Sequence, residues 1–165
     1  MGMFDILATG LTVGGWFNSD TAQAGDIGLI SKYNSTDNRS YMLYLNDSVP
    51  EFCVSSDGAA VTTVTSDYVM DNDYWFFLAG RWTPSTELSV FVNGNITTNT
   101  TSIPASIFKS SIALKIGAVD TAYFDGKGSL CFVCKYALPD ILIKSIYETT
   151  KPMFRLTDDT VYYTP

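Results

Sequence analysis

The sequence predicts an all-β, antiparallel sandwich with one short helix near its C-terminus, and three observations lead to this fold class. Tyr, Phe and Trp are frequent (10, 10 and 3 residues) and stand among many Thr, Val, Ile and Ser, which pleated sheets favour. Short strand-like runs recur along the chain, separated by turn dipeptides such as Asp57-Gly58 and Asn93-Gly94. With 46% hydrophobic and 16% charged residues, the 165-residue chain is expected to fold around a core of its own.

Nine strands are predicted from these runs, at Leu11–Asn18, Ile27–Tyr33, Tyr41–Leu45, Glu51–Val54, Val61–Val64, Tyr74–Trp82, Glu87–Val92, Ile112–Ile116 and Gly128–Tyr136. The clearest hairpin signal is the Asn93-Gly94 turn. Before it, Leu88, Val90 and Val92 share one face of a strand, and we expect that face to point into a core.

One helix is predicted at Pro139–Glu148, because apolar residues recur there at near-helical spacing and proline is accepted in a first turn. The chain shows no internal repeat, so we expect a single domain over residues 1–165 with its core between residues 10 and 148. Residues 149–165 are expected to form a terminal strand or an extended arm.

Three segments together carry a family resemblance. They are Leu11–Phe17, with Trp16 closing an apolar-alternating run; Tyr74–Trp82 followed by Glu87–Gly94; and Ile116-Gly117, Phe124–Lys127 and Tyr136–Tyr147. In this order and spacing they resemble the laminin-G-like, concanavalin A-like lectin/glucanase superfamily. The resemblance implies a jelly-roll sandwich, a fold that hosts lectins, glycosidases, adhesion modules and viral structural proteins.

One departure from the family pattern is visible at the N-terminus. Members usually have a further strand before the segment that contains Trp16, whereas only ten residues precede Leu11 here. Either the domain is trimmed or the tail Met153–Pro165 supplies the missing strand.

The chain is acidic, with a net charge of −7 and a pI near 4.3. Nucleic acid and anionic lipid would be repelled, so neither is an expected partner. The longest strongly apolar stretch, Trp75–Ala79, is far shorter than the roughly 20 residues that span a bilayer, and we expect no membrane insertion. The N-terminus has no basic region and no long apolar run, which predicts synthesis in a cytoplasm.

The residues needed for common catalytic sites are missing or scattered. The chain has no histidine, the usual base of a hydrolase triad. Retaining glycosidases pair two carboxylates about 5 Å apart, and the Glu-x-Asp-x-x-Glu strand of glycosidases with the resembled fold is absent. The three glutamates, Glu51, Glu87 and Glu148, are far apart in sequence. We therefore expect no enzymatic activity.

Calcium is the one cofactor that the sequence suggests, because it needs only oxygen ligands and the loops are rich in them. Asp71 and Asp73 lie in the densest acidic loop, with Asp120 and Asp125 as partners from a later loop. The alternative is that these aspartates simply form solvated turns.

Aromatic rings next to loops raise the possibility of a sugar-binding site, since flat rings pack on apolar faces. Trp82, Tyr41 and Tyr123 are the candidate ligand-binding residues, because they are predicted at strand ends or beside loops, where we expect them to be exposed. Trp16 and Trp75 are assigned to the core.

Three functions remain open at this point. The first is a non-catalytic structural or adhesive module on a virion surface, such as a decoration, fibre or capsid-associated protein, assembled with other structural proteins or as a homo-oligomer. The alternative is a lectin-like domain, with or without calcium, that binds cell-surface glycans and works at a cell surface or outside the cell. A protein-binding module is the third.

Overall fold

The computed structural model describes residues 9–154. Its strands are β1 (Leu11–Ser19), β2 (Asp26–Lys32), β3 (Tyr41–Asn46), β4 (Val49–Val54), β5 (Thr62–Thr65), β6 (Trp75–Thr83), β7 (Glu87–Val92), β8 (Asn95–Asn99), β9 (Lys115–Ile116), β10 (Ala118–Val119), β11 (Ala122–Tyr123) and β12 (Gly126–Cys134). The helix α1 (Asp140–Thr150) and a 3₁₀ helix (Lys151–Phe154) follow the last strand.

Two five-stranded antiparallel sheets form the sandwich. The first sheet has the strand order β12-β1-β6-β7-β8, and the second has the order β5-β4-β3-β2-β9. The first and last described strands are neighbours, because β1 pairs with β12 from Thr12–Cys134 to Ser19–Gly126. The predicted all-β, antiparallel jelly roll with one short C-terminal helix is therefore confirmed.

The core fills the space between the sheets. Val13, Leu78 and Val90 of the first sheet and Leu43 and Phe52 of the second sheet all belong to one buried cluster. Alternation of side chains along each strand sends every second residue into this layer. Gly80 on β6 faces the ring of Phe52, and a Cβ atom there would overlap the ring, so glycine permits the close approach of the two sheets.

The outer face of the first sheet is covered by α1. Ile143 and Tyr147 of the helix pack on Trp16, Phe77 and Phe91 of the sheet. The rings of Trp16 and Tyr147 stack with their centroids 5.7 Å apart. This aromatic layer fixes the helix on the sheet and removes that face from solvent.

Arg81 ties the start of α1 to the first sheet. Its guanidinium donates to the carboxylates of Glu87 and Asp140 and to the carbonyl of Leu138 at 3.0 Å. Its Cζ lies 5.2 Å from the centroid of the Phe91 ring. A buried arginine is tolerated here because two carboxylates compensate its charge.

Several predicted boundaries differ from the structure. The predicted strand Ile112–Ile116 shortens to Lys115–Ile116, because the carbonyl of Ile112 accepts the Lys32 ammonium at 2.6 Å instead of a neighbouring strand. Strands β8, β10 and β11 were not among the nine predicted strands.

The helix runs two residues further than predicted, and Pro139 precedes it as the N-cap instead of occupying its first turn. The prediction of a terminal strand or an extended arm at residues 149–165 is wrong for its first six residues, because Thr149 and Thr150 belong to α1 and Lys151–Phe154 form the 3₁₀ helix. The rest of that prediction, for residues 155–165, lies outside the described residues, as do residues 1–8.

Candidate ligand-binding face

The outer face of the second sheet is the candidate ligand-binding face. It comprises the outward side chains of β2 to β5, among them Tyr44, Glu51, Cys53 and Thr65, together with the β10–β11 hairpin. These side chains alternate with core residues such as Phe52. This face combines aromatic rings with carboxylates and hydroxyls, whereas α1 covers the outer face of the first sheet.

A row of polar side chains crosses three strands of this face. Thr65, Glu51 and Tyr44 lie opposite one another in register on β5, β4 and β3. The Glu51 carboxylate accepts the Thr65 hydroxyl at 3.0 Å through Oε1 and the Tyr44 hydroxyl through Oε2. Burial, with Cys53 and Glu51 close by, raises the pKa of the Tyr44 hydroxyl. Tyr44 therefore stays protonated and keeps donating to Glu51 at neutral pH.

Carboxylates interact with one another across the same face. Partial burial first, and then the charges of Glu51 and Asp47, raise the pKa of Asp26. Burial, followed by Asp26 and Glu51, raises the pKa of the Cys53 thiol. Since the thiolate is the reactive form, Cys53 is unsuited to act as a nucleophile at neutral pH.

The β10–β11 hairpin lies on β2. A Cβ atom at Gly28 would stand 2.7 Å from the carbonyl oxygen of Ala118, so only glycine lets the hairpin sit this close. Val119 and Ala122 form one cross-strand pair and pack down against the sheet, whereas Tyr123 belongs to the next pair. Successive pairs point to opposite sides, and the Tyr123 side chain is 71% exposed.

The tip of the hairpin is joined to the loop after β2. The Asp120 carboxylate accepts the backbone N–H of Ser35 at 2.9 Å. In the same loop, Arg39 places its Cζ 5.6 Å from the ring centroid of Tyr33. Tyr33, Arg39 and Asp120 thus lie beside the hairpin that presents Tyr123.

Comparison with known proteins identifies the fold family. Residues 3–137 match the sequence model of the concanavalin A-like lectin/glucanases superfamily. The chain belongs to this superfamily. The resemblance that the sequence segments suggested is therefore confirmed. No curated protein matched the sequence.

Solved structures share the fold of this lectin/glucanase-superfamily chain at low sequence identity. A native heptameric SAP-like pentraxin from Limulus polyphemus has a TM-score of 0.65 and 13% identity over 87% of this chain and 71% of that chain. The botulinum neurotoxin serotype D ligand-binding domain, solved in complex with N-acetylneuraminic acid, has a TM-score of 0.68 and 10% identity over 90% of this chain and 38% of that chain.

A third neighbour is the binding domain of Paraclostridial mosquitocidal protein 1. It has a TM-score of 0.63 and 12% identity over 88% of this chain and 38% of that chain. This superfamily member thus spans under two fifths of both toxin domains.

Within residues 9–154, neither helix is long and apolar enough to cross a bilayer.

Two of the three predicted ligand-binding aromatics are buried in this superfamily member. Trp82 and Tyr41 are both 0% exposed and belong to the core, so the expectation that they are exposed is wrong. Each stands at a strand end but on the face that points between the sheets, and Trp82 Nε1 donates to the Pro104 carbonyl at 3.0 Å. Of the three, Tyr123 alone is exposed.

The structure does not bring the four predicted calcium ligands together. Asp120 binds the loop after β2, whereas Asp125 accepts the Thr21 hydroxyl at 3.0 Å. Asp73 and Asp125 both lie near the Lys127 ammonium, which pairs with Asp20 and supplies a positive charge at that place. Asp71 shares the loop of Asp73. Among the described residues, no three carboxylates or thiols are arranged to hold a metal ion.

Sequence reasoning missed Glu51, Asp26 and Arg39 as members of the face. Glu51 gave a usable signal, since it is the one charged residue in the otherwise apolar strand β4. Asp26 and Arg39 gave none, because the pairing of β2 with β3 and the contact of Arg39 with the carbonyl of Ala59 join segments about twenty residues apart.

Proposed function

We propose that this chain is a non-catalytic, lectin-like module that binds carbohydrate on the outer face of its second sheet. The observation that carries the proposal is the exposed Tyr123 ring, held on a hairpin above a face that carries both carboxylates and hydroxyls. Sugar-binding surfaces need an apolar platform and a few polar groups that fix orientation. Membership of a superfamily that includes lectins supports the proposal.

The hairpin provides a rigid support for Tyr123. The backbone of Tyr123 pairs with that of Ala118, and the neighbouring Val119 and Ala122 anchor the hairpin on the sheet. Tyrosine has only two side-chain torsions, so ordering its ring upon binding costs little conformational entropy. An exposed aromatic on such a support is suited to stack against a pyranose ring.

Polar groups of the same face suit a ligand rich in hydroxyls. Thr65 is exposed next to Glu51, and Asp26 is exposed at the start of β2. Carboxylates are strong acceptors for ligand hydroxyls, and the hydroxyl groups of threonine both donate and accept. Asp26 offers such a group on β2, the strand on which the hairpin lies, and Thr65 offers one three strands away at the edge of the sheet.

Binding is favoured over hydrolysis, although the superfamily also includes glucanases. A glycosidase needs two carboxyl groups poised on either side of the scissile bond. Both Glu51 oxygens already accept hydroxyl donors, Glu87 pairs with Arg81 on the first sheet, and Glu148 lies on α1. The three glutamates are thus on three different elements. Asp26 lies on the face of Glu51, but Glu51 is buried and both of its oxygens are engaged, which supports a binding role.

Assembly on a virion surface remains a prediction. None of the neighbours named above is a virion protein, and the heptameric pentraxin concerns assembly of that protein alone. A module that binds glycans meets its ligand at a cell surface or outside the cell, which agrees with the alternative location predicted from sequence.

The test is a glycan array probed with the wild-type chain, with Tyr123→Ala and with Tyr136→Ala. Tyr136 is a matched control, since it is 67% exposed but follows β12 of the first sheet. We expect binding by the wild type and by Tyr136→Ala, with a loss of at least about tenfold for Tyr123→Ala. Loss in both variants, or in neither, would contradict the proposed face. Parallel arrays with calcium and with a chelator test the predicted calcium dependence.

A further inference from the structure

We infer that the ligand of this face is an uncharged glycan and that a sugar carrying a carboxylate is disfavoured. The inference rests on the proposed function and adds the charge class of the ligand. It differs from what fold similarity suggests, because one matched toxin domain was solved with N-acetylneuraminic acid. The charges on the second sheet disfavour an anionic ligand.

Three carboxylates act on the same region of the face. Glu51 lies on β4 opposite Tyr44 of the central strand β3, and Asp26 and Asp47 lie at the end of the β2–β3 ladder. Their mutual repulsion contributes to the raised pKa of Asp26. An anionic ligand placed here meets the same repulsion that these groups exert on one another.

The cationic side chains beside the hairpin already have partners. The two terminal nitrogens of Arg39 donate to the carbonyls of Ala59 and Ser35, and its guanidinium lies over Tyr33. The Lys115 ammonium donates to the carbonyl of Asp120 at 3.4 Å. A bidentate arginine fork, the usual partner of a carboxylate, is therefore not presented to a ligand.

Hydroxyl groups suffer no such repulsion. A neutral sugar donates a hydroxyl to the exposed Asp26 carboxylate and stacks its apolar side on the Tyr123 ring. The Glu51 carboxylate is buried, and both of its oxygens accept hydroxyls of the protein. A sugar that carries a carboxylate places it among three like charges in a solvated, partly screened setting. We expect such a sugar to bind about tenfold more weakly than a neutral one. The difference shrinks at high salt, because screening weakens the repulsion between exposed charges.

The experiment compares a neutral glycan with its sialylated counterpart, which adds one sugar residue and one negative charge; salt separates the two effects, because only the effect of the charge is screened. The strongest neutral glycan from the array and the same glycan extended by one N-acetylneuraminic acid are titrated against the wild-type chain by calorimetry, at low salt and at about 0.5 M salt. We expect the neutral glycan to bind about tenfold more tightly at low salt, and the ratio to fall towards about twofold at high salt.

Two variants locate the effect. Asp26→Asn removes one charge from the face and is expected to reduce the ratio of the two dissociation constants to about threefold. Glu148→Gln removes one charge from α1, on the opposite side of the sandwich, and is expected to leave the ratio unchanged.

The outcomes separate the inference from the proposed function. If the sialylated glycan binds as tightly as the neutral one or more tightly, the inference is wrong and the proposed function stands. If both variants change the ratio equally, the repulsion does not come from this face and the inference is also wrong. If no glycan binds on the array or in titration, the proposed function fails and the inference with it.

Discussion

Trp16 Nε1 donates a hydrogen bond to Thr150 Oγ1 at 2.8 Å, which joins the first strand to the last turn of the helix across 134 residues of sequence. The indole is buried, so its N–H has little access to water in place of this partner. The hydroxyl of Thr150 also donates to the carbonyl of Ile146 at 2.7 Å. One threonine therefore links the helix backbone to the aromatic layer of the first sheet.

Thr150→Val should destabilise the fold. Valine keeps the shape of threonine but leaves the Trp16 N–H buried without an acceptor, which costs about 1–2 kcal/mol of unfolding free energy. The control is Thr149→Val, at the exposed neighbouring position, where we expect no measurable loss. Urea unfolding of the three chains measures the effect, and an equal loss in both variants would show that the hydrogen bond is not its source.

At position 130 glycine should give a more stable chain than alanine, which is the reverse of the usual order of stability in a strand. Leu130 has a φ of 49° in β12, where the pairing with β1 shifts between Gly14 and Trp16. This left-handed conformation costs an L-residue about 1–2 kcal/mol, whereas glycine adopts it freely. Leu130→Gly should therefore be about 1 kcal/mol more stable than Leu130→Ala, since both variants lose the side-chain contacts beyond Cβ and only alanine keeps the strained conformation.

Ser129 is the matched control for Leu130, because it lies next to it in β12 and is not among the residues with positive φ. At this position the ordinary order should hold, with Ser129→Ala more stable than Ser129→Gly. Thermal or urea unfolding measures both pairs. If alanine is the better residue at position 130 as well, the backbone conformation assigned to Leu130 is wrong.

Stability should fall in alkaline solution in part through Cys53. Its pKa in the folded chain is raised above the ordinary value of 9.0, mainly by burial. The folded chain therefore keeps this proton at pH values where the unfolded chain releases it. The stability that Cys53 contributes is fully present below about pH 9 and falls above it, by up to about 1.4 kcal/mol per pH unit.

Cys53→Ala should remove this part of the pH dependence. Between about pH 7 and pH 10 the variant should lose about 1 kcal/mol less stability than the wild type, whatever its stability at neutral pH. Cys134→Ala removes a thiol from the first sheet and controls for thiol loss elsewhere. Urea unfolding across this pH range measures the difference. Parallel pH profiles for Cys53→Ala and the wild type would show that Cys53 does not cause this loss of stability.

The sequence determined the fold class because the signals for strands are local. Alternation in Leu88, Val90 and Val92 and the Asn93-Gly94 turn depend on neighbouring residues alone, and β7 and its turn stand as predicted. The near-helical spacing of its apolar residues likewise predicted the helix. The predicted strand Ile112–Ile116 is shorter in the structure, because the carbonyl of Ile112 accepts the Lys32 ammonium of β2, a contact that no local pattern reveals.

The site was decided by tertiary structure. Trp82 and Tyr41 stand at strand ends, as predicted, but the packing of one sheet on the other determines which face of each strand is buried. Tyr123 is exposed because Gly28 and Ala118 seat its hairpin on a strand some ninety residues earlier in the chain. Residue types and strand periodicity are properties of neighbours in sequence, whereas burial, charge repulsion and the choice of outward face arise only when distant strands pair and pack.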